Sequence, residues 1–257
     1  MPSRRRLARL GRLVVGCGLV LGCPWTAHAQ HVGYTGAISA VRGTYPTARV
    51  DSSYVFSGVD ISGGPVRVAV TIPFMHLETT PSIVVPDGTS PAPATTNSGF
   101  GDPLARFDLL VVNKSERGLQ LGVAAAVKMP LIDASTGRGT GEVDYGVGGS
   151  AFKIVSRTSL MADLLFWKYG DPEGIDFTDT WSYSVGVAQI IGNGRWSALV
   201  SLAGFSSGID GASPPLALNV ALMRLVGHQQ SLAVSASIGL NDSSSDFSIG
   251  TSWRIGR

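Results

Sequence analysis

The sequence predicts an all-β fold: a transmembrane, antiparallel up-and-down β-barrel of the outer-membrane type, with about twelve strands. From Leu119 onward, apolar residues occupy every second position, which is the period of a strand with one apolar face. The intervening residues are mostly Ser, Gly and Ala with scattered charge, as in a polar lumen and unlike the bulky core of a sandwich. Because strand after strand repeats this pattern, the apolar face is predicted to contact lipid.

Composition supports the same class. Hydrophobic residues make up 44% of the chain and charged residues 15%. Beyond the N-terminal region, however, no segment has the ~18 or more consecutive apolar residues that a transmembrane helix needs. A chain this apolar can satisfy its backbone groups in lipid only as a closed barrel. A soluble periplasmic β-protein is the alternative.

The first 29 residues have the pattern of an export signal. Five arginines precede a short apolar segment at Leu13–Gly22, and Ala27-His28-Ala29 is an A-x-A cleavage site. We therefore expect a signal peptide at 1–29 that is cleaved after Ala29. A lipoprotein-like box that ends at Cys23 is the alternative.

Removal of this leader changes the charge of the protein. The leader carries five of the 20 Lys and Arg residues and none of the 18 acidic residues, so the net charge falls from +2 to −3. The mature chain therefore gives no basis for nucleic-acid binding. Both cysteines, Cys17 and Cys23, leave with the leader, which excludes disulfides from the mature protein. The expected location is the outer membrane of a Gram-negative bacterium, with its lipids and barrel-assembly machinery as partners.

Alternation divides the chain into eleven clear strands. They are Arg49–Phe56, Val66–Met75, Leu104–Val112, Leu119–Met129, Val143–Val155, Ser159–Lys168, Trp181–Gln189, Trp196–Phe205, Leu216–Leu225, Ser231–Gly239 and Phe247–Ile255. Short turns and long polar connections alternate between them. Bacterial barrels have short periplasmic turns and long outer loops, so the last strand runs toward the periplasm.

If the mature N-terminus also starts in the periplasm, an up-and-down barrel must have an even number of strands. This requires one more strand before Arg49. The candidate is Val32–Arg42, which brings the count to twelve; ten or fourteen strands are the alternatives. The predicted organisation is a leader at 1–29, an N-terminal segment with a possible first strand at 30–48, and the barrel at 49–257.

Charged residues opposite the apolar face are predicted to line the lumen. They are Arg49, Asp51, Arg67, Arg106, Asp108, Lys128, Asp144, Asp163 and Arg254. Since both signs occur, a strongly selective ion filter is not expected. These groups either brace the wall as ion pairs or orient a solute. Inward Trp167 and Phe152 make the lumen partly apolar, which favours an amphipathic or aromatic solute.

The lipid-facing side is predicted to carry charge only near strand ends. Lys153, Lys168 and Arg224 fall there, where a long stem can reach the interface. Aromatic residues are expected outward in two interfacial girdles. This predicted outward set is Tyr54, Phe56, Phe74, Tyr145, Phe166, Trp181, Tyr183, Trp196, Phe247 and Trp253.

No motif predicts catalysis, a cofactor or a metal site. The mature histidines, His31, His76 and His228, are far apart in the sequence, and neither G-x-S-x-G nor a zinc-type spacing occurs. A Ser–His pair on the outer wall, as in an outer-membrane phospholipase, would need a mid-strand His that faces lipid, and the predicted strands contain none. The Gly137–Gly141 segment is interpreted as a flexible loop tip.

Several short motifs occur in an order that is similar to one family. Ser98-Gly99-Phe100-Gly101-Asp102 resembles its G-x-G-D, Lys128-Met129-Pro130 its K-x-P, and Gly139–Tyr145 its G-T-G-x-x-D-Y. Trp167–Pro172 resembles its Y-G-D-P loop and Gly239–Phe247 its ending. The family is the MetA-pathway of phenol degradation family of outer-membrane "transporter" barrels. Leu131-Ile132-Asp133 departs from its T-G-D, and the usual terminal Phe is missing.

The resemblance implies an outer-membrane barrel that passes or binds small molecules, aromatic ones included. The leading hypothesis is therefore a channel for passive uptake of small solutes. The alternative is a non-conducting barrel with a structural or ligand-binding role, and an outer-membrane enzyme is third.

Overall fold

A computed structural model describes residues 31–45, 48–81, 94–133, 136, 138–139, 141–170, 178–206, 213–227 and 229–256. The predicted leader lies outside these residues. The described strands are β1 (His31–Thr44), β2 (Ala48–Gly63), β3 (Val66–Pro81), β4 (Thr95–Phe100), β5 (Leu104–Lys114), β6 (Leu119–Lys128), β7 (Asp144–Val155), β8 (Thr158–Lys168), β9 (Thr180–Ile191), β10 (Trp196–Phe205), β11 (Leu216–Gly227), β12 (Gln230–Gly239) and β13 (Phe247–Gly256). A single 3-10 turn at Ser115–Arg117 joins β5 to β6.

The strands form one closed antiparallel sheet. β1 pairs with β13 on one side and with β2 on the other, and β2 pairs with β3, which completes the ring. β4 and β5 both pair with β3, β4 along Phe74–Thr79 and β5 along Val66–Thr71. They are therefore two halves of one wall strand, interrupted at 101–103. The wall has twelve strands, which confirms the predicted fold class and count.

The strand that parity required is present. It is β1, and it pairs with the last strand from Gly33↔Gly256 to Arg42↔Phe247. Its alternation is weak in the sequence because Gly33, Gly36 and Gly43 interrupt it. It lies between β2 and β13, and its pairing with β13 closes the barrel.

The apolar face lies on the outside. On β3, Val68, Val70, Ile72 and Phe74 are 38–41% exposed, whereas the residues between them face the interior. Within the described chain, the buried hydrophobic residues are only Ala124, Ala126 and Leu165. A water-soluble protein would bury its bulky apolar side chains, so this distribution is that of a lipid-facing wall.

No helix in the described part of the chain is long and apolar enough to span a membrane.

The predicted register of the second strand is wrong. β2 has 16 residues, and its lower half exposes Val55, Val59 and Ile61 while Asp60 is buried. Since neighbouring residues of a strand point to opposite faces, Arg49 and Asp51 share the outer face with Val55. They are not lumen residues. Tyr54 and Phe56, predicted outside, point inward.

The error has a physical origin in strand length. A tilted strand crosses the bilayer in about 9–11 residues, and β2 and β3 each have 16. These strands are longer than a bilayer crossing requires, and an outward charge beyond the hydrocarbon region costs little. Arg49 and Asp51 lie near the end of such a strand, so their polarity does not report which face they occupy.

Candidate functional site: the lumen and its mouth

The structure places the seven other predicted lumen charges on the inner face of the wall. With two further aspartates they form three ion-pair groups. We name them the closure triad (Asp60, Arg67 and Arg254), the mid-lumen triad (Arg106, Asp108 and Asp163) and the mouth cluster (Asp102, Lys128 and Asp144). The mouth is the end of the barrel that carries the connections 129–143 and 169–179. A role of these residues in transport stays a prediction.

The closure triad ties the last strand to the second. Asp60 on β2 has a side chain only 2% exposed, and its Oδ2 lies 2.7 Å from Arg254 Nη2 on β13 and 3.5 Å from Arg67 Nε on β3. β1 runs between β2 and β13. The pair can cross it because Gly33 has no side chain: a Cβ there would lie 2.6 Å from Arg254 Nη2 and 2.7 Å from Asp60 Oδ1.

Sequence reasoning missed Asp60 because the predicted strand ended at Phe56. The signal was present, since Asp60 stands between Val59 and Ile61 in a continued alternation.

The mid-lumen triad bridges four neighbouring strands. Arg106 Nη2 on β5 lies 2.7 Å from Asp163 Oδ2 on β8, and its Nε lies 2.8 Å from Asp108 Oδ1. The inward residues that separate β5 from β8 are small; they are Ala124, Ala126, Gly146 and Gly148. The arginine therefore lies along the wall over these small residues.

The mouth cluster holds two buried carboxylates around one ammonium group. Lys128 Nζ lies 2.6 Å from Asp144 Oδ2 and 3.6 Å from Asp102 Oδ2, and the aspartate side chains are 6% and 3% exposed. The backbone N–H of Ile132 donates to Asp102 Oδ1 at 3.0 Å, and that of Gly170 donates to Asp144 Oδ1 at 3.1 Å. The cluster thus fastens two long connections to the ends of the strands.

Arg138, in the connection that follows β6, contacts the inner side of β4. Arg138 donates through Nη1 to Asn97 Oδ1 and through Nε to the Phe100 carbonyl at 3.3 Å. Its side chain crosses Gly99, where a Cβ would lie 2.8 Å from Arg138 Nε. Gly99 opposes Met75, on the inner face of β3. Arg138 therefore covers part of the inner face of β4.

The family-like motifs meet at this one place. Asp102 comes from G-x-G-D, Lys128 from K-x-P, Asp144 from G-T-G-x-x-D-Y and Gly170 from the Y-G-D-P loop. A Cβ on Gly139, also in the third motif, would lie 2.6 Å from Asp102 Oδ2. The sequence predicted two of these residues as separate lumen charges and omitted Asp102, although the motif contains it. Their common role in the structure is to hold the mouth.

The lumen near the mouth contains a cavity of about 550 Å³. Tyr45, Tyr54 and Ser52 line one side of it, and Asp163, Ser182 and Ser184 the other. We name it the mouth cavity. The rings of Tyr54 and Phe56 are stacked, with centroids 5.8 Å apart and planes inclined by 13°. Burial, with Tyr54 and Asp246 nearby, raises the pKa of the Tyr45 hydroxyl above its ordinary value, so this group is uncharged at neutral pH.

A second cavity of about 770 Å³ lies against β1 and β10–β13. The inward side chains on this wall are small or apolar; they include Ser39, Leu199, Ala221, Ser235 and Gly250. The inward residues of β9–β12 carry no charge. The lumen thus has one wall of paired charges and one wall of small neutral residues.

The outer face carries a pair that the sequence analysis excluded. His76 Nδ1 lies 2.5 Å from Ser98 Oγ, and both residues alternate with outward Phe74 and Phe100 on β3 and β4. The predicted strand ended at Met75, just before His76; because β3 continues to Pro81, this histidine lies on the outward face of a strand. Within the described residues, no group of three or more His, Cys, Asp or Glu is arranged to hold a metal ion.

The outward charges near strand ends have partners. The Arg224 guanidinium lies 5.2 Å from the Trp196 ring centroid, and Lys168 Nζ lies 3.6 Å from Asp179 Oδ2. Arg42 bonds to Asp51 at 2.6 Å and lies 5.6 Å from the Phe247 ring centroid. Cations beside aromatic rings at the ends of the strands are typical of a membrane interface.

A family model described as "Putative MetA-pathway of phenol degradation" matches residues 11–255. No curated protein matches the sequence at a significant level. Among solved structures, the COG4313 outer membrane channel from Pseudomonas putida F1 has a TM-score of 0.66, with 12% identity over 90% of this chain and 96% of that one. The transport unit of the Escherichia coli autotransporter AIDA-I has a TM-score of 0.52, with 8% identity over 90% of this chain and 91% of that one. The CymD monoaromatic hydrocarbon channel has a TM-score of 0.47, with 8% identity over 90% of this chain and 89% of that one. At these identities the likeness of the first two establishes a shared outer-membrane barrel fold.

Proposed function

This chain belongs to the family described as "Putative MetA-pathway of phenol degradation", and we propose from that premise that it is a passive channel for small amphipathic or aromatic solutes. It acts in the outer membrane after export by a leader that is cleaved after Ala29. The observation that carries the proposal is the lumen, where a cavity of about 550 Å³ reaches the ion-paired Asp163 and a cavity of about 770 Å³ lies against the neutral wall. A twelve-strand barrel encloses more space than an eight-strand barrel, whose interior is filled by its own side chains.

The charge balance of the lumen supports small uncharged or zwitterionic solutes. The closure and mid-lumen triads contain three arginines and three aspartates, each in an ion pair. Away from the mouth cluster, where two carboxylates face one ammonium group, this balance offers no net attraction to either ion sign. The neutral wall of β9–β12 gives an apolar body a surface to contact. A solute with a polar group and an apolar body can therefore contact the paired charges with the first and the neutral wall with the second.

Swelling of proteoliposomes tests this function. Zwitterionic amino acids suit the test because they share one head group and differ in the side chain. With purified barrel in the vesicles, we expect phenylalanine and leucine to enter, phenylalanine at least as fast despite its greater size. Lysine and glutamate should enter more slowly, without a preference for either sign. Protein-free vesicles provide the control.

A second candidate function is a non-conducting barrel with a structural or ligand-binding role. The observation that favours it is the side chain of Arg138, which lies over the inner face of β4. Absence of both swelling and single-channel conductance from correctly folded protein would decide for this candidate.

We propose that the chain is not an enzyme, although His76 and Ser98 are in contact. A serine hydrolase uses the imidazole Nε2 toward the nucleophile and an acid on Nδ1. Here Nδ1 faces the serine, and no carboxylate among the described residues is hydrogen-bonded to this ring. We expect purified protein to hydrolyse p-nitrophenyl butyrate no faster than its Ser98→Ala variant does. Hydrolysis by the wild-type protein that is lost in both Ser98→Ala and His76→Ala would establish an esterase.

A further inference from the structure

The two ends of the barrel wall carry opposite charge. Opposite the mouth, the short turns between β5 and β10, with the adjoining strand ends and the end of β11, carry six cations and one carboxylate, Glu116. We name the cations the basic rim (Lys114, Arg117, Lys153, Arg157, Arg195 and Arg224). The mouth connections 129–143 and 169–179 have the reverse balance, with six acidic residues and one arginine. A channel function of the lumen does not require this polarity of the outer surface.

Main-chain hydrogen bonds fix the turns of the rim. The Arg157 carbonyl accepts a bond from the N–H of Ile190 on β9 at 2.9 Å. The Arg195 carbonyl accepts one from the N–H of Leu225 on β11 at 2.8 Å. Each turn is therefore joined to the next hairpin, and the cations form a continuous series along the edge of the wall from β5 to β11.

Three of the cations lie on the outer face of strands. Lys114 and Lys153 pair with Leu119 from either side of β6. Arg224 lies opposite Trp196, with its guanidinium 5.2 Å from the ring centroid. Long side chains of this kind lie along apolar surface and place the charged group at the boundary with water.

Exposed apolar residues lie among these cations. Val155, Ile191 and Val226 are 55%, 43% and 57% exposed, and each lies within four positions of an arginine of the rim. The boundary between hydrocarbon and lipid head groups accommodates apolar and cationic side chains side by side. This mixture therefore favours a lipid surface over water as the environment of the rim.

The rim cations are not neutralised inside the protein. Within the described chain, none of the six forms an ion pair with a carboxylate. In the lumen, by contrast, each arginine of the two triads has an aspartate partner. Guanidinium groups present a fork of N–H donors that matches the oxygens of a phosphate, so a phosphate group can supply the missing partner.

We infer that the basic rim is a docking surface for the phosphate head groups of anionic phospholipids in the periplasmic leaflet of the outer membrane. Short turns mark the periplasmic end of a bacterial barrel, and each Lys or Arg near an anionic membrane surface adds to the attraction. The rim collects such lipids along β5–β11 and fixes the depth at which this side of the barrel lies. The inference goes beyond the channel function and does not depend on it.

Spin-labelled lipids test the inference. Purified barrel is placed in phosphatidylcholine vesicles that contain a trace of spin-labelled phosphatidylglycerol or of spin-labelled phosphatidylcholine. Electron spin resonance then gives the fraction of each label that is immobilised at the protein surface. At low salt we expect a larger immobilised fraction for phosphatidylglycerol. The difference should shrink in about 1 M salt, where the Debye length is about 3 Å.

Charge-removing variants locate the preference on the rim. Arg195→Gln/Arg224→Gln should lower the ratio of phosphatidylglycerol to phosphatidylcholine association, by up to about fivefold for each cation that contacts a phosphate. Lys114→Gln/Lys153→Gln should act in the same direction. Arg195→Lys/Arg224→Lys keeps both charges and should retain most of the preference.

A matched control removes two cations from the mouth end of the outer face. Arg49→Gln/Lys168→Gln should leave the preference unchanged, because each of these cations already has an aspartate partner. The shift between folded and unfolded gel bands on boiling verifies that every variant is folded.

The outcomes distinguish the possible partners. Equal association of both labels with the wild-type barrel, or an unchanged preference in both rim variants, would overturn the inference. Salt-sensitive binding of soluble polyglutamate without a preference for phosphatidylglycerol would also overturn it, and would assign the rim to an acidic periplasmic protein. A barrel that prefers phosphatidylglycerol but gives no swelling would support the rim and count only against the channel.

Discussion

Lys128→Met lowers the free energy of unfolding by about 3–5 kcal/mol, because it removes the ammonium group between two buried carboxylates. Asp102 and Asp144 are 3% and 6% exposed at their side chains, so water does not replace the lost cation. Both carboxylates also accept hydrogen bonds from backbone N–H groups of the connections. Repulsion between the two carboxylates should therefore detach these connections from the strand ends. The expected readouts are a lower temperature for conversion of the folded gel band to the unfolded one, and new protease cleavage within 129–143.

The neighbouring carboxylates provide the control. Lys128→Met combined with Asp102→Asn should recover a large part of the loss, because one of the two opposing charges is gone. Lys128→Arg, which keeps the charge, should fall between wild type and Lys128→Met. A Lys128→Met barrel with wild-type melting and intact connections would show that the cluster does not hold the mouth.

Asp60→Leu is the second large effect, at about 3 kcal/mol of lost stability. The change leaves Arg254 and Arg67 facing each other on the inner wall without the carboxylate that lies 2.7 and 3.5 Å from them. Because the pair joins β13 to β2 across β1, the loss should appear where the barrel closes. Hydrogen exchange is expected to increase first along the β1–β13 pairing, and the gel-conversion temperature should fall.

Arg67→Met is the matched control for this position. Its bond to Asp60 is the longer one and its side chain is 48% exposed, so we expect a loss of only ~0–1 kcal/mol. The double variant Asp60→Leu/Arg254→Met should be more stable than Asp60→Leu alone, because it removes the unpaired cation. Equal losses in Asp60→Leu and Arg67→Met would contradict a specific closing role for the β2–β13 pair.

How much the sequence predicts can be judged from single elements. The alternation in β12 and β13 defines a lipid face without any tertiary information, because a strand places successive side chains on opposite sides. The alternating lengths of the connections and strict up-and-down parity even locate β1, whose own pattern is interrupted by glycine. The inward position of Arg106, Asp163 and Arg254 follows from the same local rule.

The rule fails where a strand extends past the membrane. On β2 the residues Arg49 and Asp51 resemble lumen charges, yet they lie on the outer face near the end of a long strand, and the slip of one position moves Tyr54 into the lumen. The aromatic side of the mouth cavity was therefore absent from the sequence-based site. His76 likewise joins Ser98 on the outer face because β3 continues past the predicted end.

The sequence by itself determined the fold class, the number of wall strands and the lipid-facing side, since all three depend on short-range periodicity and on chain order. Only the tertiary structure decided which charges meet. Arg254 binds Asp60 at a separation of 194 positions, and Asp102, Lys128 and Asp144 converge under folded connections. Such contacts depend on strand stagger around a closed sheet and on the path of the loops, and neither is encoded in the alternation of a single strand.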